Sequence, residues 1–409
     1  MCLCFNLNLL SQHPYDTSQF KFALPNTSGK YNIGTRIFFV TDTVRFDSML
    51  NKKGRDIIFQ IWYPSLSKQK NTLSYIPGNL IKAMQKDEYN NIDSISLIKW
   101  GNLKTHASEN IPNNASKKFP ILFFLHGFGM SRYSYITIIE DLVSQGIVVI
   151  SLDSPHSGLM ILSNGEVINT LYDGKPVGKC ESMAKDVSFV YDWIKNSKDE
   201  KLNKLIPFID FSKAGVVGHS LGGAAALETC RIDNRFSACI DLDGDPFGKV
   251  EEVGLNKPTL ILLNEPLYSA DRFKVPGSKE KWDSMGNQRK KLWQDIFMKN
   301  ENNPSYAIGI VGTNHFSFTD FPFVTKQYYR NPNAGIIINK ERGLLIITSY
   351  IKAFFYSFIV GDKSINIKKM TEKFPETNLQ LTTQNKKPTV KRRFSNIAGR
   401  RIYSHPIVR

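Results

Sequence analysis

The chain has 409 residues, of which 41% are hydrophobic and 22% are charged. This composition is typical of a folded globular protein and excludes a collagenous, low-complexity or wholly disordered chain. The formal net charge of +16 would suit an acidic partner such as nucleic acid or an anionic lipid surface. The longest apolar runs, such as residues 121–125, are far shorter than the roughly 20 residues that cross a bilayer, so no integral membrane protein is expected.

The N-terminal segment, residues 1–25, opens on an apolar decapeptide that lacks a basic region and is interrupted by asparagines. It is a poor match to a signal peptide. The five cysteines are odd in number, widely spread and without a CxxC pair, so neither a zinc site nor a disulfide scaffold is expected, and no cofactor is predicted. The cysteines are Cys2, Cys4, Cys180, Cys230 and Cys239.

A catalytic domain is predicted over residues 26–361. It begins with two segments, 36–42 and 56–63, that are rich in β-branched and aromatic residues and are expected to form a leading antiparallel strand pair. A long mixed insertion, 66–118, follows. An amphipathic stripe within it either forms a lid or interfacial helix or packs onto the sheet. The stripe consists of Tyr75, Ile76, Leu80, Ile81 and Met84.

From residue 120 onward, strand-like and helix-like segments alternate. Residues 120–125 form a continuous apolar run, as expected for a strand that is buried on both faces. Further strands are predicted at 147–152, 214–217, 239–242, 259–263 and 306–311, and helices at 135–143, 183–194, 224–230 and 344–358. This alternation predicts an α/β fold with a mostly parallel central sheet covered by helices on both faces. Ligands in such folds bind at the carboxyl ends of the strands.

Residues 362–409 carry a net charge of +9, which leaves only +7 for the other 361 residues. The basic character is therefore mostly a property of this segment, and no nucleic-acid partner is expected. The segment has few large apolar residues and is predicted to be a flexible tail. Two interpretations stay open: a solvated tail that aids solubility, and an electrostatic tether to anionic lipid or another polyanion.

The strongest chemical signal is the sequence GHSLG at 218–222, placed between a predicted strand and a predicted helix. This pattern is typical of a nucleophile elbow, in which a serine occupies a strained turn and glycines allow close backbone approach. Ser220 is the predicted nucleophile; the alternative is a glycine-rich turn with an incidental serine. His219, at the variable position of the motif, is predicted to be structural.

A serine hydroxyl needs a neighbouring base, which in this architecture comes late in the chain. Only His315 and His405 follow the elbow, and His405 lies in the tail. His315 follows the strand predicted at 306–311 and is the predicted base. The alternative is a histidine that merely packs in its loop.

The acid that orients the base is ambiguous. Asp243 ends the strand after the elbow helix, while Glu265 ends the next strand, and either could hold the histidine. Asp241 and Asp245 flank the first candidate, and strand alternation puts Asp241 on the same face as Asp243. These two flanking carboxylates are either solvated or cap a turn.

Two main-chain N–H groups are candidates for an oxyanion hole. The sequence HGFG at 126–129 follows the strand predicted at 120–125, and Phe128 should present its N–H opposite that of Leu221. Two such amides that converge on the developing oxyanion would each stabilise the transition state by about 3 kcal/mol. The alternative is that HGFG is only a tight turn.

Taken together, the segments LFFLHGFG, GHSLGG, IDLDGDPFG and GTNHFSFTDF resemble the platelet-activating factor acetylhydrolases, a family of serine-type lipoprotein-associated phospholipases of the α/β-hydrolase superfamily. The likeness runs from about residue 26 to about residue 360. The family's nucleophile, acid and histidine fall on Ser220, Asp243 and His315, and its oxyanion donors fall on Phe128 and Leu221. The resemblance therefore favours Asp243 over Glu265.

The resemblance implies calcium-independent hydrolysis of the sn-2 acetyl or short, oxidised acyl ester of a glycerophospholipid through an acyl-serine. It also implies a secreted protein that contacts a membrane or lipoprotein surface, although a cytoplasmic location stays open because no signal peptide is evident. This sequence departs from the family at 244–246, where Gly-Asp-Pro replaces an aromatic residue, and at Leu221, where relatives often carry Phe. Both departures bear on the acyl pocket.

The residues themselves indicate only a serine ester hydrolase. A general carboxylesterase, or a polyester hydrolase of the dienelactone type, would use the same groups on a different ester. A non-catalytic member of the fold that serves as a binding module is the third alternative. The number of subunits is not indicated by the sequence.

Overall fold

The computed structural model describes residues 20–47, 50–68, 71–86, 92–113, 117–169, 176–265, 279–300, 302–330 and 338–383, apart from the side chains of 86, 176, 265, 279–286 and 330. Cys2, Cys4 and His405 lie outside these ranges. Within them, the strands are β1 Asn32–Asp47, β2 Lys52–Ser65, β3 Thr72–Ser74, β4 Lys104–Glu109, β5 Phe119–Leu125, β6 Val148–Asp153, β7 Leu159–Ile161, β8 Val167–Asn169, β9 Ile209–His219, β10 Phe236–Leu242, β11 Thr259–Glu265, β12 Ser305–Val311 and β13 Thr377–Thr382.

Helices cover the sheet and connect its strands. They are α1 Gly78–Lys86, α2 Ser94–Asn102, α3 Ile136–Ser144, α4 Pro176–Asn196, α5 Glu200–Asn203, α6 Leu221–Ile232, α7 Lys249–Val253, α8 Lys279–Lys299, α9 Phe321–Val324, α10 Lys340–Phe355 and α11 Met370–Lys373. A glycine follows the end of helix α3: Gly146 adopts a φ of +98° and its N–H bonds to the carbonyl of Val143.

The main sheet has the strand order β13-β12-β11-β10-β9-β5-β6-β2-β1-β4-β3. Its centre, from β12 through β11, β10, β9 and β5 to β6, is parallel, and β2 joins β6 antiparallel. The leading pair β1 and β2 is antiparallel, as predicted. The predicted α/β architecture with a mostly parallel sheet is therefore confirmed.

The continuous apolar run of β5 is explained by burial on both faces. Leu122 and Phe124 join the cluster that lies under α3 and α10, whereas Ile121, Phe123 and Leu125 join the opposite cluster under α4 and α6. All five side chains are at most 1% exposed. Burying one such side chain stabilises the fold by about 1.5 to 3 kcal/mol, so this strand fixes the sheet between its two helical layers.

The closing helix α10 and the turn that follows it, Lys340–Val360, are long and apolar enough to span a membrane by length and composition. In the fold, this segment packs against the sheet: Ile347, Tyr350, Ile351 and Phe354 are fully buried. Its apolar character is accounted for by the protein core.

The amphipathic stripe of the insertion also faces the core. Tyr75, Ile76, Leu80 and Met84 are at most 3% exposed and belong to the cluster under α3, and Ile81 packs against that cluster. The stripe is therefore packed as the alternative interpretation describes, onto the sheet side of the molecule, and a lid or interfacial role of the insertion stays a prediction. Amphipathicity alone shows that one face is apolar but not what covers it.

The segment predicted to be a flexible tail needs a corrected boundary. Residues 362–383 pack on the domain, and β13 extends the sheet by pairing antiparallel with β12. Phe374 is 1% exposed, and Arg342 of α10 binds Glu376 through two hydrogen bonds of 2.8 Å. Strand β13 alternates polar and apolar residues, but its pairing with β12 joins segments that are distant in sequence, which the local sequence does not reveal. The tail prediction still applies to residues 384–409, which lie outside the described ranges.

The corrected boundary predicts different outcomes for two truncations. A chain that ends at residue 361 loses β13 and Phe374, and its free energy of unfolding should fall by at least about 2 kcal/mol. A chain that ends at residue 383 loses a net charge of +8 but keeps the sheet, and it should unfold at the same urea concentration as the full chain. Equal urea midpoints for the two truncations would show that β13 contributes no stability.

Candidate active site

The elbow predicted at 218–222 is present between β9 and α6. Ser220 adopts φ 55° and ψ −121°, a conformation that strains a residue with a side chain by about 1 to 3 kcal/mol. The glycines allow the backbone to pass through: a Cβ on Gly218 would lie 2.0 Å from the carbonyl oxygen of Gly222, and one on Gly222 would lie 2.4 Å from that of Leu125. The strained serine stands at the N-terminus of a helix, which is typical of a nucleophile.

The HGFG turn lies against the elbow. A Cβ on Gly127 would lie 3.2 Å from the Cβ of Ser220, so the residue before Phe128 is in close contact with the serine. Leu221 is the first residue of α6, and the first N–H groups of a helix have no acceptor within it. The two predicted oxyanion donors therefore belong to segments that both contact Ser220.

Asp243 lies just beyond the end of β10, beside the elbow. The N–H of Ser220 bonds to the carbonyl of Leu242 at 3.0 Å, and the N–H of Asp243 bonds to that of Leu262 at 2.7 Å. Asp243 has a φ of 57°, so the chain turns there and the alternation of β10 does not continue past Leu242. The carboxylate consequently points to the edge of the sheet where the elbow lies.

The structure brings Asp243 and His315 together. The Nδ1 of His315 lies 2.7 Å from Oδ2 of Asp243. His315 starts a short 3₁₀ turn, His315–Phe318, whose first turn is fixed by reciprocal hydrogen bonds between Asn314 and Ser317. The imidazole side chain is 40% exposed while the carboxylate is 1% exposed. With Nδ1 on the aspartate, the other ring nitrogen, Nε2, is the one that can accept a proton from a nucleophile.

The Asp243 carboxylate is held by further partners. Asn264 donates to it twice, from its side-chain amide to Oδ2 at 2.7 Å and from its main chain to Oδ1 at 3.1 Å. Nη1 of Arg289 lies 3.6 Å from Oδ1. Burial opposes ionisation, but the hydrogen bond from His315 and the charge of Arg289 outweigh it and lower the pKa of Asp243 to about 2. The carboxyl is ionised at neutral pH, as an orienting acid must be.

Glu265, the alternative acid, is the last residue of β11, where its main chain pairs with Val311. Its side chain lies outside the described residues. The hydrogen bond between Asp243 and His315 favours Asp243 for this role.

The two flanking carboxylates differ from each other. Asp241 is fully buried and accepts the N–H of Gly244 at 2.7 Å, so it caps the turn that carries Asp243. Burial, only partly offset by that hydrogen bond, raises the pKa of Asp241 to about 8. Asp245 has a side chain that is 42% exposed and pairs with Nε of Arg289 at 2.5 Å. Of the two alternatives, turn capping applies to Asp241.

Arg289 and Asn264 are site residues that the sequence analysis missed. Arg289 comes from α8 and also donates to the carbonyl of Gly244 at 2.6 Å. It lies 46 positions after the aspartate in a helix without any motif, so only the tertiary fold reveals its place. Asn264 could have been suspected, because it occupies the end of a strand adjacent to β10.

Within the described ranges, no three His, Cys, Asp or Glu side chains are grouped so that they could hold a metal ion.

Residues 16–157 and 172–332 match the family described as platelet-activating factor acetylhydrolase, isoform II. The chain is 25% identical over 268 residues to a probable 1-alkyl-2-acetylglycerophosphocholine esterase from Arthroderma benhamiae, a match that covers 63% of this chain and 65% of that protein. It is 23% identical over 377 residues to the platelet-activating factor acetylhydrolase of Cavia porcellus, which covers 84% of this chain and 79% of that one.

The enzyme of the same name from Bos taurus is 23% identical over 340 residues, or 74% of this chain and 70% of that one. Among solved structures, the ferulic acid esterase from Streptomyces cinnamoneus superposes with a TM-score of 0.71 over 87% of this chain and 98% of that one, at 23% identity. This likeness establishes the fold.

The contact between Asp243 and His315 predicts that Asp243→Asn lowers kcat on a soluble ester by about 10⁴-fold, because an amide favours the wrong imidazole tautomer and cannot stabilise the imidazolium. Glu265→Gln is the matched control and should change kcat by less than a few fold. Steady-state kinetics on p-nitrophenyl acetate measures both. A larger loss in Glu265→Gln than in Asp243→Asn would transfer the role to Glu265.

The buried Asp241 predicts a pH-dependent stability. Its carboxyl stays protonated in the fold up to about pH 8, whereas in the unfolded chain it ionises near pH 4. Between these values the unfolded chain binds fewer protons, so this group makes stability fall as pH rises, by up to about 1.4 kcal/mol per pH unit. Asp241→Asn removes that fall.

Urea unfolding at pH 5, 6, 7 and 8 should therefore show the stability of Asp241→Asn relative to the unmodified chain growing with pH. Asp245→Asn, which changes a carboxylate that is 42% exposed, serves as the control and should show no such trend. Parallel pH profiles for Asp241→Asn and the unmodified chain would mean that Asp241 ionises normally.

Proposed function

The chain belongs to the platelet-activating factor acetylhydrolase, isoform II, family, and on this premise we propose that it is a serine ester hydrolase that cleaves the sn-2 acetyl or short, oxidised acyl ester of glycerophospholipids. The observation that carries the proposal is the 2.7 Å hydrogen bond between His315 and a buried, ionised Asp243 at the same sheet edge as the strained Ser220. A carboxylate, an imidazole and a serine so arranged are the groups that acyl transfer requires.

In the first half of the reaction, Ser220 Oγ attacks the ester carbonyl while Nε2 of His315 takes the hydroxyl proton. Asp243 orients the imidazole and stabilises the imidazolium that forms. The oxyanion is bound by the N–H groups of Phe128 and Leu221. When the tetrahedral intermediate collapses, the bond to the glycerol oxygen breaks, the imidazolium protonates that oxygen, and the lysophospholipid leaves an acyl-serine behind.

In the second half, water attacks the acyl-serine. His315 accepts a proton from the water, and the oxyanion forms again between the same two N–H groups. Collapse breaks the bond to Ser220 Oγ, which regains its proton from His315, and the short-chain acid is released. The chemistry needs only groups of this chain and water.

The proposal extends to a peripheral contact with a membrane or lipoprotein surface, where such a substrate resides. Helix α2 of the insertion presents Ile95 and Ile98, which are 66% and 56% exposed. The same helix is anchored beside the histidine loop, because the indole N–H of Trp100 donates to the carbonyl of Val324. Exposed apolar side chains on a helix next to the site support entry from a lipid surface.

A second candidate, a general carboxylesterase, is favoured by one observation. Where the resemblance leads one to expect an aromatic residue after the acid, this chain has Gly244 and Asp245, and Asp245 pairs with Arg289. The surface that Asp245 and Arg289 form beside the candidate site is polar, which would also suit a compact, water-soluble ester.

The two candidates differ in a chain-length series. With phosphatidylcholines that carry acetyl, butyryl, hexanoyl and palmitoyl groups at sn-2, the phospholipid proposal predicts the highest kcat/KM for acetyl and a steep fall toward palmitoyl, unchanged by a calcium chelator. Hydrolysis of p-nitrophenyl acetate without hydrolysis of any phosphatidylcholine would favour the second candidate.

Ser220→Ala is the blank for this series and should lower kcat by about 10⁶-fold on every ester. A fluorophosphonate should label the unmodified chain and not this variant. Labelling that persists in Ser220→Ala, or the absence of hydrolysis of every ester, would overturn the proposal.

A further inference from the structure

Three segments of the candidate site converge on two buried side chains that take no part in the chemistry described above. Tyr135 immediately precedes α3 and is fully buried, and His219 precedes Ser220 and is 1% exposed. Between them they bond to the oxyanion turn and to the histidine loop.

The direction of the bonds at His219 follows from its partners. Its Nε2 lies 2.9 Å from the carbonyl oxygen of His315, and a carbonyl can only accept, so Nε2 carries the proton. Burial and the neighbouring charge of His315 hold the pKa of His219 well below its usual range, although Asp243 pulls the other way. The ring is therefore neutral, and its Nδ1 is an acceptor.

The hydroxyl of Tyr135 lies 2.9 Å from that acceptor and donates to it. The same oxygen accepts the N–H of Gly127 at 2.8 Å. The sulfur of Met130 also lies 2.9 Å from the hydroxyl, but a thioether is a weaker acceptor than an imidazole nitrogen. One continuous chain of hydrogen bonds thus runs from Gly127 through Tyr135 and His219 to the main chain of His315.

We propose that Tyr135 and His219 are positioning residues that fix the oxyanion turn, the elbow and the histidine loop relative to one another. This relay, Tyr135 with His219, rests on the proposed ester hydrolysis, because its purpose is to hold the groups of that reaction. In this proposal His219 does more than pack in the core. Through its bond to the carbonyl of His315, it sets the position of the base relative to Ser220.

The relay has little room to relax. A Cβ on Gly127 would lie 3.0 Å from Nδ1 of His219, and the rings of His219 and His315 have centroids 4.5 Å apart. Displacing reacting groups by about 1 Å can cost about 100-fold in rate. Loss of one bond in the relay should therefore lower turnover without removing any group that touches the substrate.

The first test removes the hydroxyl alone. Tyr135→Phe should lower kcat for p-nitrophenyl acetate by about 10- to 100-fold and change KM by less than about 3-fold. Tyr350→Phe is the matched control: Tyr350 is also fully buried and its hydroxyl bonds at 2.9 Å to Thr377 of β13, four strands from β9 in the sheet. It should keep the kcat of the unmodified chain. Equal kcat values for the two variants would overturn the relay.

The second test separates the two bonds of His219. His219→Gln keeps a donor near the carbonyl of His315 and loses the acceptor for Tyr135, while His219→Asn does the reverse. Adding Tyr135→Phe to His219→Gln should cost less than Tyr135→Phe costs alone, because the bond between Tyr135 and His219 is already broken and only the bond from Gly127 remains to be lost. Adding it to His219→Asn should lower the rate further. Purely additive losses in both pairs would contradict the relay.

A third measurement does not depend on activity. In a Ser220→Ala chain with ¹⁵N-labelled histidine, the relay predicts a neutral His219 whose proton sits on Nε2 from pH 6 to 8, and whose Nδ1 resonance shifts on Tyr135→Phe. A His219 that is protonated on Nδ1 would overturn the relay. If the unmodified chain hydrolyses no ester, the proposed function fails, and this spectrum alone decides whether the relay exists.

Discussion

The proposed active site depends on one hydrogen bond, between Nδ1 of His315 and Oδ2 of the buried Asp243, because it fixes both the tautomer and the orientation of the proposed base. A lone carboxylate inside a protein would be driven to take up a proton. Here the fold supplies donors from two other elements, Asn264 from β11 and Arg289 from α8. The sheet order places β9, β10 and β11 side by side, so the proposed nucleophile, the proposed acid and the supporting amide leave the sheet at one edge.

The end of β10 shows how the surroundings give two aspartate side chains different protonation states. Asp243 and Asp241 are two residues apart and both are buried, yet the pKa of the first falls to about 2 and that of the second rises to about 8. Asp243 faces a histidine and an arginine, while Asp241 faces the glycine backbone of the elbow and the N–H of Gly244. The ionised carboxyl of Asp243 can orient a base, and the neutral carboxyl of Asp241 caps the turn by accepting the N–H of Gly244.

Local sequence patterns were sufficient to predict the two turns of the candidate site. The elbow and the turn before Phe128 are short motifs with glycines at sterically required positions, and the late histidine follows from chain order. The acid was ambiguous because Asp243 and Glu265 stand at the ends of two neighbouring strands. The placement of Asp241 on the same face as Asp243 carried period-2 alternation one residue too far, past the positive φ of Asp243. Arg289 and strand β13 could not be predicted, because each depends on a partner that is distant in sequence. The relay through His219 is likewise visible only when three separated segments are assembled.

The most direct test of the account is the proton NMR spectrum of the imidazole N–H between His315 and Asp243. A strongly downfield resonance should be present in the unmodified chain and in Glu265→Gln, and absent from Asp243→Asn and from His315→Gln. A resonance that survives Asp243→Asn and disappears in Glu265→Gln would show that the base is held by a different carboxylate, and the arrangement described for the site would be incorrect.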